Sequence, residues 1–397
     1  MSYKYIPFYP YTYKIIDRTN NINEGENDMK NEDFEIINRF AKERNIKNTT
    51  KANYKTYLKE YSQYFNKSLP ELLELAEQEE EDGIRWKNRS LKKQLIDYRN
   101  YLYNTHSSST AKNRFTRIKT FYRHYDIEIH ELPKFNTRNV KNTPPIQFKD
   151  IPDKEVIRSA IEVPPAVMKP LILFMSSSGC ARAETLDLTI DSYIKATEEY
   201  HQGGTIKEII ETLNKITDVV PTFNILRRKT NKYYTTFCSP ETVTAINHYL
   251  LTRENLTLNS QLFKVHETYL IELFENTNNV LGLGKVGHYN RFRSHMLRKY
   301  QATTLFNDGM SIDTVNDLQG KSKNATDSAY FVRNVEDLKQ EYISHLPALQ
   351  IGDEVNKVTV KSKEFVELEL ENKNLKEDIN SLKADVQVIL DKIHNAK

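Results

Sequence analysis

Apolar residues recur at helical spacing through most of the chain and alternate at strand spacing in one place. Phe34, Ile37, Phe40 and Ala41 share one side of a short helix. Thr49 or Thr50 is placed to cap a second, which carries Tyr54, Tyr57, Leu58 and Tyr61 on one side. Pro70 opens a third, at a helix start where a missing amide costs nothing. A fourth helix is expected from about Ser90 to Tyr103 and a fifth from about Ser109 to Tyr125, giving an all-α unit over 31–131. LPKFNTRNVKNTPPIQFKD (132–150) breaks the period with three prolines and several asparagines and reads as a linker. Helical spacing resumes at Asp153 and again from Ala166 to Ser178, and 195–217 predicts a helical insertion of no assigned role. VPTFNILRR, the turn KTNK and YYTTFC predict a β-hairpin, dense in Tyr, Thr, Phe and Ile. Ser239-Pro240 starts a further helix, and helices continue to about His345.

Two stretches depart from this pattern. Residues 1–30 are rich in Tyr and then Asn, with little periodicity, and read as a flexible arm. Over 361–394 the spacing becomes seven: Leu368, Leu375, Leu382 and Ile389 form one series, and Phe365, Asn372, Ile379, Val386 and Ile393 a second offset by three. Leucine at d with largely β-branched residues and one Asn at a favours a parallel two-stranded coiled coil, hence self-association. The expected fold is mainly α with a small β-hairpin: a helical unit over 31–131, a second unit over 151–350 and a coiled-coil tail.

Composition narrows the class. A chain of 397 residues is too long for one ordinary core. No apolar run approaches the roughly 20 residues of a membrane helix, and MSYKYIPFYPYTYKIID lacks the apolar centre of a secretory signal. Cys180 and Cys238 are too few for a disulfide framework and sit in no metal-like cluster, so a reducing, cytoplasmic setting is expected, with no metal and no cofactor. The net charge of +3 conceals an uneven distribution. Between Ile84 and Arg123 eleven basic residues face a single acid, Asp97. A charge run is most often a solvated face. This one is interleaved with Tyr, Phe and Ser on helical segments, which favours a phosphate-contacting surface, with Lys92, Lys112, Arg114, Arg117, Lys119 and Arg123 as the candidate DNA contacts.

Four separated pieces carry candidate chemistry. SSSGCARAETLDL (176–188) puts Arg182 and Glu184 at a helix start, and RRKTNK puts Lys229 at the hairpin tip. HMLR puts His295 and Arg298 one helical turn apart. GKSKNATDSAY puts Lys321 nine residues before Tyr330. Breaking and resealing a DNA strand without a metal asks for this inventory. A phenol can attack phosphorus and store the bond as a phosphotyrosine, but its free pKa of about 10 means it needs help losing a proton. Two guanidiniums suit the charge that develops on the nonbridging oxygens. A lysine can protonate the leaving 5′ oxygen, and a histidine can relay the nucleophile's proton.

The order Arg, hairpin Lys, His-x-x-Arg, Gly-Lys-Ser and Tyr resembles the tyrosine recombinase family of phage integrases and Xer proteins. The stretch HMLRKYQATTLFNDGMSIDTVNDLQGKSKNATDSAYF (295–331) is similar to that family's C-terminal signature along its whole length, and the resemblance spans about 31–345. It implies that Arg182 and Arg298 hold the scissile phosphate, Lys229 is the general acid, His295 the general base or relay, and Tyr330 the nucleophile. It further implies that Lys321 takes a place usually held by His, and that the N-terminal helices are a SAM-like core-binding domain clamped on DNA. Double-stranded DNA bearing a recombination site is the implied partner. A tetramer on two such sites and a Holliday-junction intermediate are implied with it. One register stays open. The family's first arginine stands two residues after a Gly and three before a Glu, so alignment on Gly179 and Glu184 puts Ala181 there; Arg182 fits if the turn absorbs one residue. Lys229 competes in the same way with Arg228 and Lys232.

Taken singly, these residues are unremarkable: His295 alone is more often an ordinary hydrogen-bonded histidine, and Tyr330 is one of 24 tyrosines. Gly282-Leu-Gly284-Lys-Val-Gly287 matches a dinucleotide fingerprint, but a helical segment precedes it where a strand is needed, so it reads as a flexible loop. The competing functions are a dimeric DNA-binding regulator without catalysis and a type IB topoisomerase.

Overall fold

A computed structural model describes residues 31–136, 145–321 and 333–352. Two compact units divide the chain after residue 144. The N-terminal arm, most of the central linker, residues 322–332 with Tyr330, and the heptad tail lie outside the described residues.

The first unit is all helical: α1 (Asn31–Glu43), α2 (Asn48–Phe65), α3 (Leu69–Glu81), α4 (Ser90–Thr105) and α5 (Ser108–His124). Its core sets seven aromatic rings among aliphatic side chains. Tyr61, Tyr98 and Tyr122 are fully buried; Tyr61 meets Tyr98 edge-on at 4.8 Å and shares a 3.1 Å hydroxyl contact with Tyr122. Edge-to-face rings add roughly 0.5–1.5 kcal/mol each beyond their burial. The periodicity needs two amendments. Phe34 is exposed and Ile36 takes the inner position, while Tyr57 is only half-buried. Asp33 explains the rotation of α1: it is buried and accepts from the Leu69 amide (2.5 Å) and the Ser62 hydroxyl (2.9 Å). Neither Thr49 nor Thr50 caps α2; Lys47 occupies that position without a side-chain cap. Ser68 does cap α3, in a reciprocal pair with Glu71 and with Pro70 in the first turn.

The second unit is helical around one hairpin: α6 (Lys154–Ala160), α7 (Met168–Ser178), α8 (Arg182–Leu186), α9 (Ile190–Ala196), α10 (Ile206–Leu213), β1 (Thr222–Arg227), β2 (Lys232–Phe237), α11 (Pro240–Leu251), α12 (Glu267–Val280), β3 (Lys285–Val286), β4 (Tyr289–Asn290), α13 (Ser294–Asn307), α14 (Ile312–Leu318) and α15 (Val335–Leu349). The run LILFMSSS leaves α7 with no polar face, and it is buried along almost its whole length against α11, α13 and β2. β1 and β2 pair antiparallel from Thr222↔Phe237 to Arg227↔Lys232. The glycine-rich stretch is no flexible loop: Lys285↔Asn290 and Val286↔Tyr289 form a second small hairpin leading into α13. The predicted insertion, 195–217, takes in the last residues of α9, a 3₁₀ turn at Glu198–Tyr200 and α10.

Candidate functional site

The best-defined part of the site is the corner after α14. Helix α14 ends in a Schellman arrangement, with Gly320 N–H donating to Asp317 O (2.8 Å) and Lys321 N–H to Asn316 O (2.9 Å). The arrangement requires a left-handed residue, and Gly320 has φ +56°. A Cβ there would stand 2.4 Å from Cδ1 of Tyr234, so the ring and the glycine define each other. The corner's outward carbonyls are taken by two arginines. Arg298 Nη2 donates to Gln319 O at 2.6 Å, and Arg227 Nη1 donates to Gln319 O (3.3 Å) and to Gly320 O.

Arg298 is buried, and its other terminal nitrogen donates to the carbonyl of Gly179, the left-handed residue that ends α7. Its guanidinium therefore ties the α7–α8 turn to the α14 corner. Glu184, also buried, lies 3.9 Å from Arg298; it accepts from the Ala181 amide (2.9 Å) and the Tyr234 hydroxyl (2.9 Å). Gln319 completes the shell, donating to Arg298 O (2.9 Å) and Gln301 Oε1 (2.8 Å). Burial pushes the Cys180 thiol up to about 11, so this cysteine is no nucleophile near neutrality.

The predicted residues fall into two groups. Arg298 and Lys321 come together: burial lowers the pKa of Lys321, and the charges of Arg298 and then Arg227 lower it further. His295 is coupled electrostatically to Arg298. Its pKa is lowered by desolvation, then by Lys299, Arg293 and Arg298, which favours the neutral, proton-accepting imidazole. Arg182 and Lys229 stand apart. Arg182, at the first position of α8, is ion-paired with Glu267 at 2.8 Å, and Lys229 is exposed on the four-residue turn 228–231. Beside it, Arg228 pairs with Asp187. The helix start at Ala181, fixed by the Glu184 carboxylate on its amide, puts Arg182 one residue into α8.

Arg227 is the residue that sequence reasoning missed. It closes the hairpin opposite Lys232, and nothing in its local spacing distinguishes it from Arg228 and Lys229; only the return of α14 brings carbonyls and Lys321 to its guanidinium.

In the first unit, Lys112 and Arg123 are exposed and Lys92 is half-buried. Arg114 is ion-paired with Glu60 and lies over Tyr57 (5.0 Å), Arg117 lies over Tyr54 (4.8 Å), and Lys119 over Phe115 (5.2 Å). Among the described residues no group of His, Cys, Asp and Glu has a metal-binding arrangement. No helix there is long and apolar enough to cross a membrane.

No protein-family model matches this sequence, and no curated protein does. Solved structures similar to the chain include a XerA recombinase, 18% identical with a TM-score of 0.32, covering 80% of this chain and 99% of that one. Another is a XerH site-specific recombinase bound to its difH substrate in a pre-cleavage complex: 17% identity, TM-score 0.46, 77% and 82% covered. The integrase of the Tn1549 transposon in complex with transposon right-end DNA is 15% identical, with a TM-score of 0.44 and 79% and 98% covered.

Proposed function

We propose that this chain is a tyrosine site-specific DNA recombinase, which cuts and rejoins strands through a 3′-phosphotyrosine and a Holliday junction. The observation that carries the proposal is the cluster built on Arg298. A buried guanidinium, fastened to two loop carbonyls, sits in electrostatic contact with His295 and Lys321, and these three belong to the 295–331 signature. A side chain locked by its neighbours is what preorganised stabilisation of a phosphorane requires, because nothing needs to reorganise as charge develops.

In this reading Tyr330 attacks phosphorus and the 5′ oxygen leaves, so one P–O bond forms as another breaks and the phosphodiester energy is retained. His295, held neutral, accepts the phenol proton. Arg298 and Lys321 donate to the nonbridging oxygens. Lys229 protonates the leaving oxygen, its exposed turn settling on the DNA when the strand binds. Arg182 is the second phosphate guanidinium once its exposed pair with Glu267 opens; Arg227, bonded to the corner's carbonyls, adds positive charge near Lys321. In sequence Tyr330 lies between Lys321 and Arg333, and Arg333 donates to Thr314 on α14 at 2.7 Å. In the assembled state the first unit closes on double-stranded DNA and four copies act on two sites.

The test is a nicked suicide duplex carrying a candidate site from the flanking genome, incubated in EDTA with wild type and Tyr330→Phe. A covalent protein–DNA band on a denaturing gel with wild type alone is the expected result. DNA binding with no band favours the regulator. Relaxation of supercoiled DNA without sequence preference favours the topoisomerase.

A further inference from the structure

Behind Arg298 stand two buried glutamines to which the cleavage chemistry gives no part. Gln301 is fully buried and Gln319 nearly so. Gln301 follows Arg298 by three residues on α13, so the two share a face. The Gln319 amide uses both of its N–H groups here, one on Arg298 O (2.9 Å) and one on Gln301 Oε1 (2.8 Å). Its own main-chain carbonyl accepts from Arg298 Nη2 (2.6 Å). Arg298 and Gln319 therefore hold each other twice, side chain to main chain in each direction.

Gln301 also reaches the second anchor of the guanidinium. The carbonyl of Gly179 accepts from Arg298 Nη1. Gly179 packs so closely on the Gln301 amide that a Cβ there would stand 2.6 Å from Oε1 and 2.7 Å from Cδ. One side chain thus touches both residues whose carbonyls aim the guanidinium, Gly179 by contact and Gln319 by a hydrogen bond. Displacing the Gln301 amide would shift one acceptor relative to the other.

Stability does not account for a glutamine at this place. Its Nε2 is buried and has no hydrogen-bond partner among the described residues. A buried amide N–H left unpaired costs more than an ordinary hydrogen bond contributes, whereas replacing both members of a bonded pair by apolar groups of like shape is close to neutral or stabilising. Two methionines would fill the same space without the unpaired donor. They would not orient Gly179 and the corner, because methionine is flexible and makes no comparable bond.

We infer that Gln301 is a positioning residue for strand cleavage, acting through Gln319 and Gly179 to hold the Arg298 guanidinium in the orientation that meets the phosphate. The effect on rate rests on the recombinase reading; the restraint on the guanidinium does not.

The experiment compares full-length wild type with Gln301→Met, Gln319→Met and the double variant. It reads the melting midpoint and the rate of covalent-complex formation on the nicked suicide duplex at saturating protein. It also reads solvent exchange of the Arg298 guanidinium N–H groups by NMR of isotope-labelled arginine, assigned with Arg298→Lys. The double variant should melt no lower than wild type and bind the duplex equally well, yet form covalent complex about 10–100-fold more slowly. Each single variant should be about as slow as the double, since either change breaks the same link. In all three the guanidinium N–H groups should exchange at least about tenfold faster. Unchanged guanidinium exchange overturns the proposal whatever the rate does, and an unchanged rate overturns the role in cleavage. A rate that falls only in step with a lowered melting midpoint assigns the pair to packing and overturns it too. Should the double variant not fold, either single variant carries the same test. No covalent complex from wild type itself counts against the recombinase reading, and the exchange measurement then decides the restraint by itself.

Discussion

Two of the five N–H donors of Arg298 are committed to Gly179 O and Gln319 O, and these bonds aim the rest of the guanidinium. Arg298→Ala strands both carbonyls and leaves the buried carboxylate of Glu184 without its nearest cation. A loss of roughly 3 kcal/mol or more is expected in denaturant unfolding. Arg298→Lys keeps the charge but cannot span the two carbonyls, so it should stay folded while forming covalent complex about 10²–10³-fold more slowly. An unchanged unfolding midpoint in Arg298→Ala would show that the tie is not structural. His295 supplies a pH test. Desolvation and three cations hold its folded pKa below the ordinary 6.5, so the accepting form persists to lower pH than for a free histidine. The acid limb of the cleavage rate should lie below pH 6.5 and disappear in His295→Gln; a limb at or above 6.5 argues against the assignment. The sign for stability follows from the same shift: as pH falls below 6.5 the unfolded chain takes this proton more readily than the folded one. His295 therefore favours unfolding in acid, and His295→Gln should reduce the acid lability.

At the scale of elements, the hairpin and α14 cannot be understood separately. β2 carries Tyr234 over Gly320, β1 ends in Arg227 on the corner's carbonyls, and the Schellman turn sets the direction in which Lys321 leaves. Gly320→Ala meets both obstacles at once, a positive φ and a new Cβ that would stand 2.4 Å from the Tyr234 ring. A cost of about 1–3 kcal/mol is expected, with covalent-complex formation reduced because Lys321 moves. Combining it with Tyr234→Ala should cost less than the sum of the two single changes, since the smaller side chain removes the clash while the backbone strain remains. Strict additivity in the thermal midpoints would show that ring and glycine do not interact. Glu184 belongs to this scale too: a carboxylate at the third position of α8 reads in sequence as a helix-start residue, and the fold also buries it against Tyr234 and Arg298.

At the scale of the whole molecule, the two units meet different demands. The first is five helices around a core of aliphatic side chains and seven buried aromatic rings; the second is a mostly apolar helical body whose buried Arg298, Glu184 and Gln319 meet between the α7–α8 turn and the α14 corner. The expectation of self-association rests on the seven-residue repeat over 361–394, which lies outside the described residues. Truncation after Asn356 should lower the sedimentation coefficient to that of a smaller species while sparing affinity for a single DNA site. An unchanged sedimentation profile would count against the coiled coil.

Much of this was legible along the chain. The five N-terminal helices, the helix start at Pro70, the hairpin and the helix bearing His295 and Arg298 follow from local periodicity and turn chemistry, which act within a few residues and leave a mark on composition. The likeness of 295–331 to a known signature singled out Arg298 and Lys321 in the same way. The inner position of Ile36 in place of Phe34 depended on a buried Asp33 bridging to Ser62 and Leu69, partners too distant for any local pattern to register. The role of Arg227, the Tyr234–Gly320 contact and the pairing of Arg182 with Glu267 likewise depend on segments tens of residues apart. Local spacing states which side chains can share a face. Which buried carbonyl a guanidinium reaches, and whether an acid is near enough to neutralise it, is decided only when distant segments pack and water is excluded between them.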